Sequence, residues 1–337
     1  MPFPFFKKDK KDGAVTLPPP VPAAVGAYGK VPKMGDFVRA GAKPLPSFEQ
    51  WLEAGMAAGE KKYGASWPSV YGKGPIHAFV YRPPVRDGAM LVGVLKPSHD
   101  SVGRRFPLVV FAQIAERDVA AFPHLLPLVL GDFLEAATSA MTDAGTVTSA
   151  SEYQERIGRV ALPYLNTDAA AADYDRWARS TPVGAAWAAV YGSAESDAPL
   201  GALKSIREAL APFGERENLT TPLAVRLRLG SAGIAAAVLW LDIVRSVARW
   251  RATTPTCFWS FDGDEGSILI QLGQVTPSSL AELWQPDLDS DHVCNLLGVT
   301  TNEHRSQLVA SFPRPLGVLL EGGDAPVAEM LALLLDR

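Results

Sequence analysis

The sequence predicts an α+β fold, an antiparallel or mixed β-sheet flanked by helices with a helix-rich C-terminal half, on three observations. Three strand-like apolar runs, Ile76–Tyr81, Met90–Leu95 and Leu108–Ile114, follow one another with no helical stretch between them. Helical spacing lies before and after this group rather than alternating with it, which argues against a doubly wound parallel sheet. After about Thr142 the composition turns toward Ala, Ser, Thr and Asp, and most of the remaining apolar stretches have helical spacing. The expected organisation is a tail over residues 1–24, an α+β domain over 25–145 and a helix-rich α+β region over 146–337.

Element by element, residues 1 to about 24 join a Lys/Asp cluster, Lys7 to Asp12, to Leu17-Pro18-Pro19-Pro20-Val21-Pro22. Such a segment cannot pack a core and reads as a disordered or semi-rigid extension. A short strand from Val25 into Tyr28 leads to a Gly/Pro loop and a helix from about Ser47 to Lys62. Ser47 and Gln50 have capping-box spacing, and Phe48, Trp51, Leu52 and Met56 share one helical face. Val85-Arg86-Asp87-Gly88 turns the first two strands of the trio into a hairpin, because Asp-Gly tolerates positive φ. Phe122 to Met141 reads as a helix, followed by helices at about 170–190 and 199–212 and a strand at Leu223–Leu229. Ala232 to Trp250 reads as a buried helix whose Asp242, Arg245 and Arg249 form its wet stripe. A hairpin pairs Cys257–Phe261 with Ser267–Leu272, and a helical tail contains Pro277–Trp284 and Pro326–Leu335.

Composition narrows the function. The 337 residues are 47% hydrophobic with a net charge of −4, so nothing pulls the chain toward nucleic acid, which is met by clustered Lys and Arg. Two cysteines, Cys257 in a strand and Cys294 in a predicted helix, are too few for a disulfide framework and fit a reducing cytoplasm. At the N-terminus charge follows a very short apolar patch, the reverse of a secretory signal. The apolar stretch Ala232–Leu241 is far short of the ~20 residues that direct membrane insertion needs. The five histidines show no metal-ligand spacing, and neither a metal nor a cofactor is expected. Asp287 to Asp291 opens like a calcium loop, but His292 and Gly298 stand where Gly and Glu are needed, so it reads as an acidic helix cap. Asp262 to Gly266 reads as a solvated hairpin turn. Trp240, Trp250, Trp259 and Trp284 read as core.

Two segments carry the chemistry. Tyr28-Gly29-Lys30-Val31-Pro32-Lys33-Met34-Gly35-Asp36-Phe37-Val38 lacks the G-x-x-x-x-G-K-[ST] spacing of a phosphate loop. In it Gly29 allows close backbone approach, Pro32 fixes the loop, and Asp36 caps backbone donors or pairs with a cation. The second segment, Lys96-Pro97-Ser98-His99-Asp100-Ser101-Val102-Gly103-Arg104-Arg105-Phe106-Pro107-Leu108, supplies that cation. Asp36 and Asp100 are expected to gather around Arg104 or Arg105 and to hold the two loops together. His99, Asp100 and Ser101 point apart in an extended loop, so adjacency alone does not build a catalytic triad. The candidate interaction residues are therefore Tyr28, Lys30, Lys33, Gly35, Asp36, Phe37, Arg39, Asp100, Gly103, Arg104 and Arg105.

These two segments resemble the signature of the TagF family, also called ImpM, of type VI secretion-associated proteins. The family reads roughly Y-G-K-x-P-x-x-G-D-F-[VI] in the first and P-S-x-D-x-x-G-R-x-F-P-L in the second. Phe48-Glu49-Gln50-Trp51-Leu52 and Trp67 stand between them, where the family has an F-x-x-W-L helix and a second Trp. The resemblance is dense over residues 25 to 115. It implies a cytoplasmic accessory regulator without enzymatic activity, acting in several systems as a post-translational repressor in connection with the forkhead-associated (Fha) scaffold. The alternatives are a structural or assembly subunit of the apparatus, or a hydrolase using the His99-Asp100-Ser101 loop.

Overall fold

The computed structural model describes residues 23–84, 88–211, 221–250, 253–261, 266–286, 290–297 and 304–335. Outside them lie residues 1–22 of the expected tail, 85–87 and 262–265 of the two expected hairpin turns, Asp287 to Asp289 of the acidic cluster, and Gly298.

In chain order, β1 (Ala24–Gly29) and β2 (Val38–Gly41) precede α1 (Pro46–Tyr63) and α2 (Trp67–Gly72); β3 (His77–Tyr81), β4 (Ala89–Lys96) and β5 (Leu108–Ala115) follow. A helical stretch then holds α3 (Leu126–Val129), α4 (Gly131–Asp143), α5 (Ala150–Gly158), α6 (Thr167–Ser180), α7 (Val183–Tyr191) and α8 (Ala198–Leu210). The remainder is β6 (Ala224–Arg228), α9 (Ile234–Ala248), β7 (Cys257–Ser260), β8 (Ser267–Gln271), α10 (Ser278–Trp284), β9 (Val293–Asn295), α11 (Arg305–Ala310), α12 (Arg314–Gly322) and α13 (Val327–Leu335).

These strands form one mixed sheet in the order β2-β1-β5-β4-β3-β7-β8-β6-β9, antiparallel throughout except where β9 lies parallel to β6. The fold is α+β, and the sheet runs across the stretch near residue 145. Its joint is the β3–β7 ladder, where Phe79 stands opposite Phe258. Alternate side chains of these strands enter two different cores, which is why β5 reads as a nearly continuous apolar run. On one face Val80, Val92, Val110, Trp259 and Ile268 pack beneath α4 and α9. On the other, Phe79, Phe111, Phe258 and Leu269 meet α1, α2 and α10, with the Trp51 ring stacked on Phe258 at 5.2 Å.

Several expectations are corrected by local chemistry. The first long helix begins at Pro46 with Leu45 as its uncapped N-terminal residue, so the Ser47/Gln50 capping box does not form; the ring at the first helical position sets φ instead. The helix expected over 122–141 is a 3₁₀ turn, then α3, then α4, bent by 57°. Pro123 and Pro127 each remove a backbone donor there. Pro182 divides the stretch at 170–190 into α6 and α7. Cys294 lies in β9, not in a helix. Asp242 is buried rather than wet, accepting from Arg245 Nη2 at 2.6 Å and from the Tyr174 hydroxyl at 3.2 Å, while Arg249 lies in left-handed backbone beyond the helix. The four tryptophans are all buried, as expected. Among the described residues no single helix is long and apolar enough to cross a membrane, although the bent pair 123–143 has the length and composition to do so.

Two buried histidines make the fold sensitive to acid. Burial, with the Arg226 charge nearby, lowers the His77 pKa to about 3, and burial lowers that of His124 to about 4. The unfolded chain takes up these protons near pH ~6.5, whereas the folded chain refuses them, so their contribution is complete above that pH and is lost as pH falls. Between pH 7 and 5.5 each should remove about 1 kcal/mol of stability. Urea denaturation at the two pH values checks this; equal midpoints would mean that these rings titrate normally.

Candidate interaction site at two converging loops

Topology brings the two sequence segments to one end of the sheet. Tyr28 at the end of β1 stands opposite Val109 at the start of β5, and Lys96 at the end of β4 stands opposite Leu108. The loops that leave β1 and β4 are therefore neighbours. Gly29 is what lets them close in: its φ is +132°, and a Cβ there would lie 1.9 Å from the Pro107 carbonyl oxygen.

Asp100 ties the loops together. Its Oδ1 accepts the backbone N–H groups of Val102 and Arg104 at 3.1 and 2.8 Å, a turn that Gly103 completes at φ +85°. Its Oδ2 accepts Arg104 Nε at 2.6 Å and pairs with the buried Lys30 ammonium. Burial opposes ionisation of this carboxyl, but the bonds from Lys30 and from the Arg104 backbone and side chain outweigh it and hold its pKa well below the usual carboxylate range. Three further bonds cross between the loops. Arg104 Nη2 donates to the Gly35 carbonyl at 2.6 Å, Ser101 N–H to the Met34 carbonyl at 2.9 Å, and the Ser98 hydroxyl to the Lys30 carbonyl at 2.7 Å. From beneath, the Tyr71 hydroxyl of α2 accepts from Ser98 N–H and donates to its carbonyl, both at 2.8 Å.

An aromatic trio covers the end of β1. Phe37 lies 5.7 Å from Tyr28 and 4.9 Å edge-on to Phe106, with Lys30 Nζ 4.9 Å above the Phe37 ring and Arg39 5.4 Å above Tyr28. Tyr28 is buried; Phe37 keeps 39% of its surface exposed.

The predicted residues therefore divide. Asp100 and Arg104 meet as expected, with Gly103 at the turn between them and the Gly35 carbonyl accepting from Arg104. Asp36 does not join them: it is exposed and forms no ion pair among the described residues. Its place is taken by Lys30, which the sequence reading put on the surface and the fold buries. Arg105 is exposed and contributes only its backbone, in a bridge to His99. Lys33 is exposed, its Nζ 3.4 Å from the Thr146 carbonyl oxygen. The site also enlists Ser98, Tyr71 and Met34, which sequence reasoning passed over; Ser98 and Met34 stood inside the quoted motifs, Tyr71 outside them. His99 Nδ1 faces the Asp100 carbonyl oxygen at 2.9 Å while the Asp100 carboxylate points inward, so these side chains form no relay with Ser101.

The structure thus defines an α+β protein with a rigid, cation-rich loop face. Residues 26–160 match the family model described as TagF N-terminal domain, Type VI secretion system-associated. That segment is a TagF N-terminal domain. A solved structure, PA0076 from Pseudomonas aeruginosa PAO1, is similar at 20% identity and a TM-score of 0.46, the match covering 79% of this chain and 96% of that one. No curated protein matches the chain.

Proposed function

We propose that this protein is a cytoplasmic, non-enzymatic accessory regulator that represses a bacterial type VI secretion apparatus after translation by binding the Fha scaffold through the two-loop face. The Asp100 cluster carries the reading. By locking both loops through one buried carboxylate it presents Arg39, Phe37 and Arg104 on a fixed surface, and fixed aromatic and guanidinium groups are what dominate protein interfaces. The same commitment of Asp100 to Lys30 and Arg104 speaks against the hydrolase alternative.

Charge reversal of two exposed residues tests it. In the full chain, Lys33→Glu with Arg39→Glu should weaken capture of the Fha scaffold by roughly tenfold or more, equivalent to about 1.4 kcal/mol. Secretion should rise as repression is lost, with circular dichroism unchanged. Scaffold capture by the wild type should also weaken as salt is raised. A well-folded double variant that binds and represses like the wild type would remove the site from this face. A fixed stoichiometry in the purified apparatus would favour the structural-subunit alternative, since a regulator is sub-stoichiometric.

A further inference from the structure

The chemistry of the partner is legible in the charge of this face. Within the two loops and the start of β2, five cations, Lys30, Lys33, Arg39, Arg104 and Arg105, stand against two carboxylates, Asp36 and Asp100, on a chain whose net charge is −4, while Glu49 and Glu53 of α1 lie close enough to act on the Tyr28–Arg39 pair and Glu152 of α5 on Lys33. Lys30 and Arg104 share Asp100, but Lys30 is buried while the Arg104 side chain is 62% exposed, so the surplus of that cluster reaches solvent through Arg104. The Arg104 guanidinium is held at Nε by Asp100 and at Nη2 by the Gly35 carbonyl, and its Nη1 makes no bond among the described residues. A guanidinium anchored in this way has already lost the rotamer freedom that binding would otherwise cost. Arg39 is placed in a similar manner, over the Tyr28 ring. The apolar part of the same loops is exposed as well, Phe37 at 39% and Val102 at 72%.

We propose that the face binds an extended acidic segment of a partner protein, carboxylates meeting Arg104 and Arg39 while an apolar side chain covers Phe37 and Val102. A guanidinium with free N–H groups suits a planar carboxylate, and exposed apolar groups beside it select a peptide over a free anion. The proposal rests on the two-loop face being the working surface.

The experiment selects displayed random peptides on the immobilised full-length chain and titrates the winners, synthesised with fluorescein, by anisotropy. The selected peptides carry several Asp or Glu residues around an aliphatic or aromatic one. Their affinity falls roughly tenfold or more on Arg39→Glu or Val102→Ser protein, and when Asn and Gln replace the acids or salt is raised. Thermal melts confirm that the variants fold, both positions being exposed. Selection without an acidic excess, or peptides that bind both variants as tightly as wild type, overturns the proposal. Binding to phosphatidylserine vesicles without binding to acidic peptides overturns it in favour of a membrane surface. If deleting the gene changes secretion but the selected peptides are not acidic, the partner's chemistry alone is wrong. If acidic peptides bind but the deletion leaves secretion unchanged, the regulatory reading alone is wrong.

Discussion

Asp100→Ala should lower the melting temperature by on the order of 10 °C, because it strands a buried cation and removes the acceptor of two backbone donors. The Lys30 ammonium keeps no carboxylate, the N–H groups of Val102 and Arg104 lose Oδ1, and Arg104 retains only its bond to Gly35. Asp36→Ala, at an exposed carboxylate without an ion pair among the described residues, should change the melting temperature little. The comparison discriminates, since equal shifts for the two variants would mean that Asp100 does not tie the loops. The effect also carries a pH signature. Burial disfavours the Asp100 carboxylate, yet the Lys30 and Arg104 bonds hold its pKa below the ordinary range. Its stabilisation is therefore complete above roughly pH 4, the unfolded value, and fades as pH falls toward the folded one. Denaturation midpoints of wild type and Asp100→Asn should accordingly converge below about pH 4.

Gly29→Ala should cost at least about 3 kcal/mol, summing backbone strain and an overpacked contact. The residue sits at φ +132°, and the added methyl would meet the Pro107 carbonyl oxygen at 1.9 Å and Leu108 Cα at 2.9 Å. Both atoms belong to the backbone entering β5, which is hydrogen-bonded on both sides and cannot retreat without breaking a ladder. The other motif glycines provide the contrast. Gly103 has a positive φ but nothing within 4 Å, so alanine there brings strain alone, about 1 kcal/mol. At Gly35 the nearest atom is Ser101 Oγ at 3.8 Å, and alanine fits. A melting series over the three variants checks the order, and a Gly29→Ala protein as stable as wild type would show that β1 can shift away from β5.

The strands were legible in the sequence wherever both faces are buried, since β3, β4 and β5 then read as apolar runs with defined ends. Strands that owe their existence to a neighbour were not. The four residues of β2 alternate buried and exposed only because β1 lies alongside, and β9 is three residues held by a parallel pairing to β6. The short α5 escaped because its apolar content is small. It is set by the Ser149 side chain accepting from Glu152 N–H at 3.2 Å and by the burial of Tyr153 and Ile157. At the site, the charge types and the pairing of the two loops could be read, but the choice of partners could not. Nothing local distinguishes Lys30 from Lys33, or Asp100 from Asp36. Which of each pair is buried depends on how β1 and β4 end against β5.

The β3–β7 ladder carries a consequence for how the protein is made. Residues 81 and 257 are separated by 257 minus 81, or 176, positions of chain. At ~5 to 20 residues per second, a ribosome takes roughly 10 to 35 s to deliver β7 after β3 has been made. Throughout that interval the nascent chain holds β3 with one edge unpaired and Phe79 without Phe258 across it. An edge of that kind pairs with any strand available. Until the second half arrives to close the sheet, that edge is where the growing polypeptide is open to mispairing.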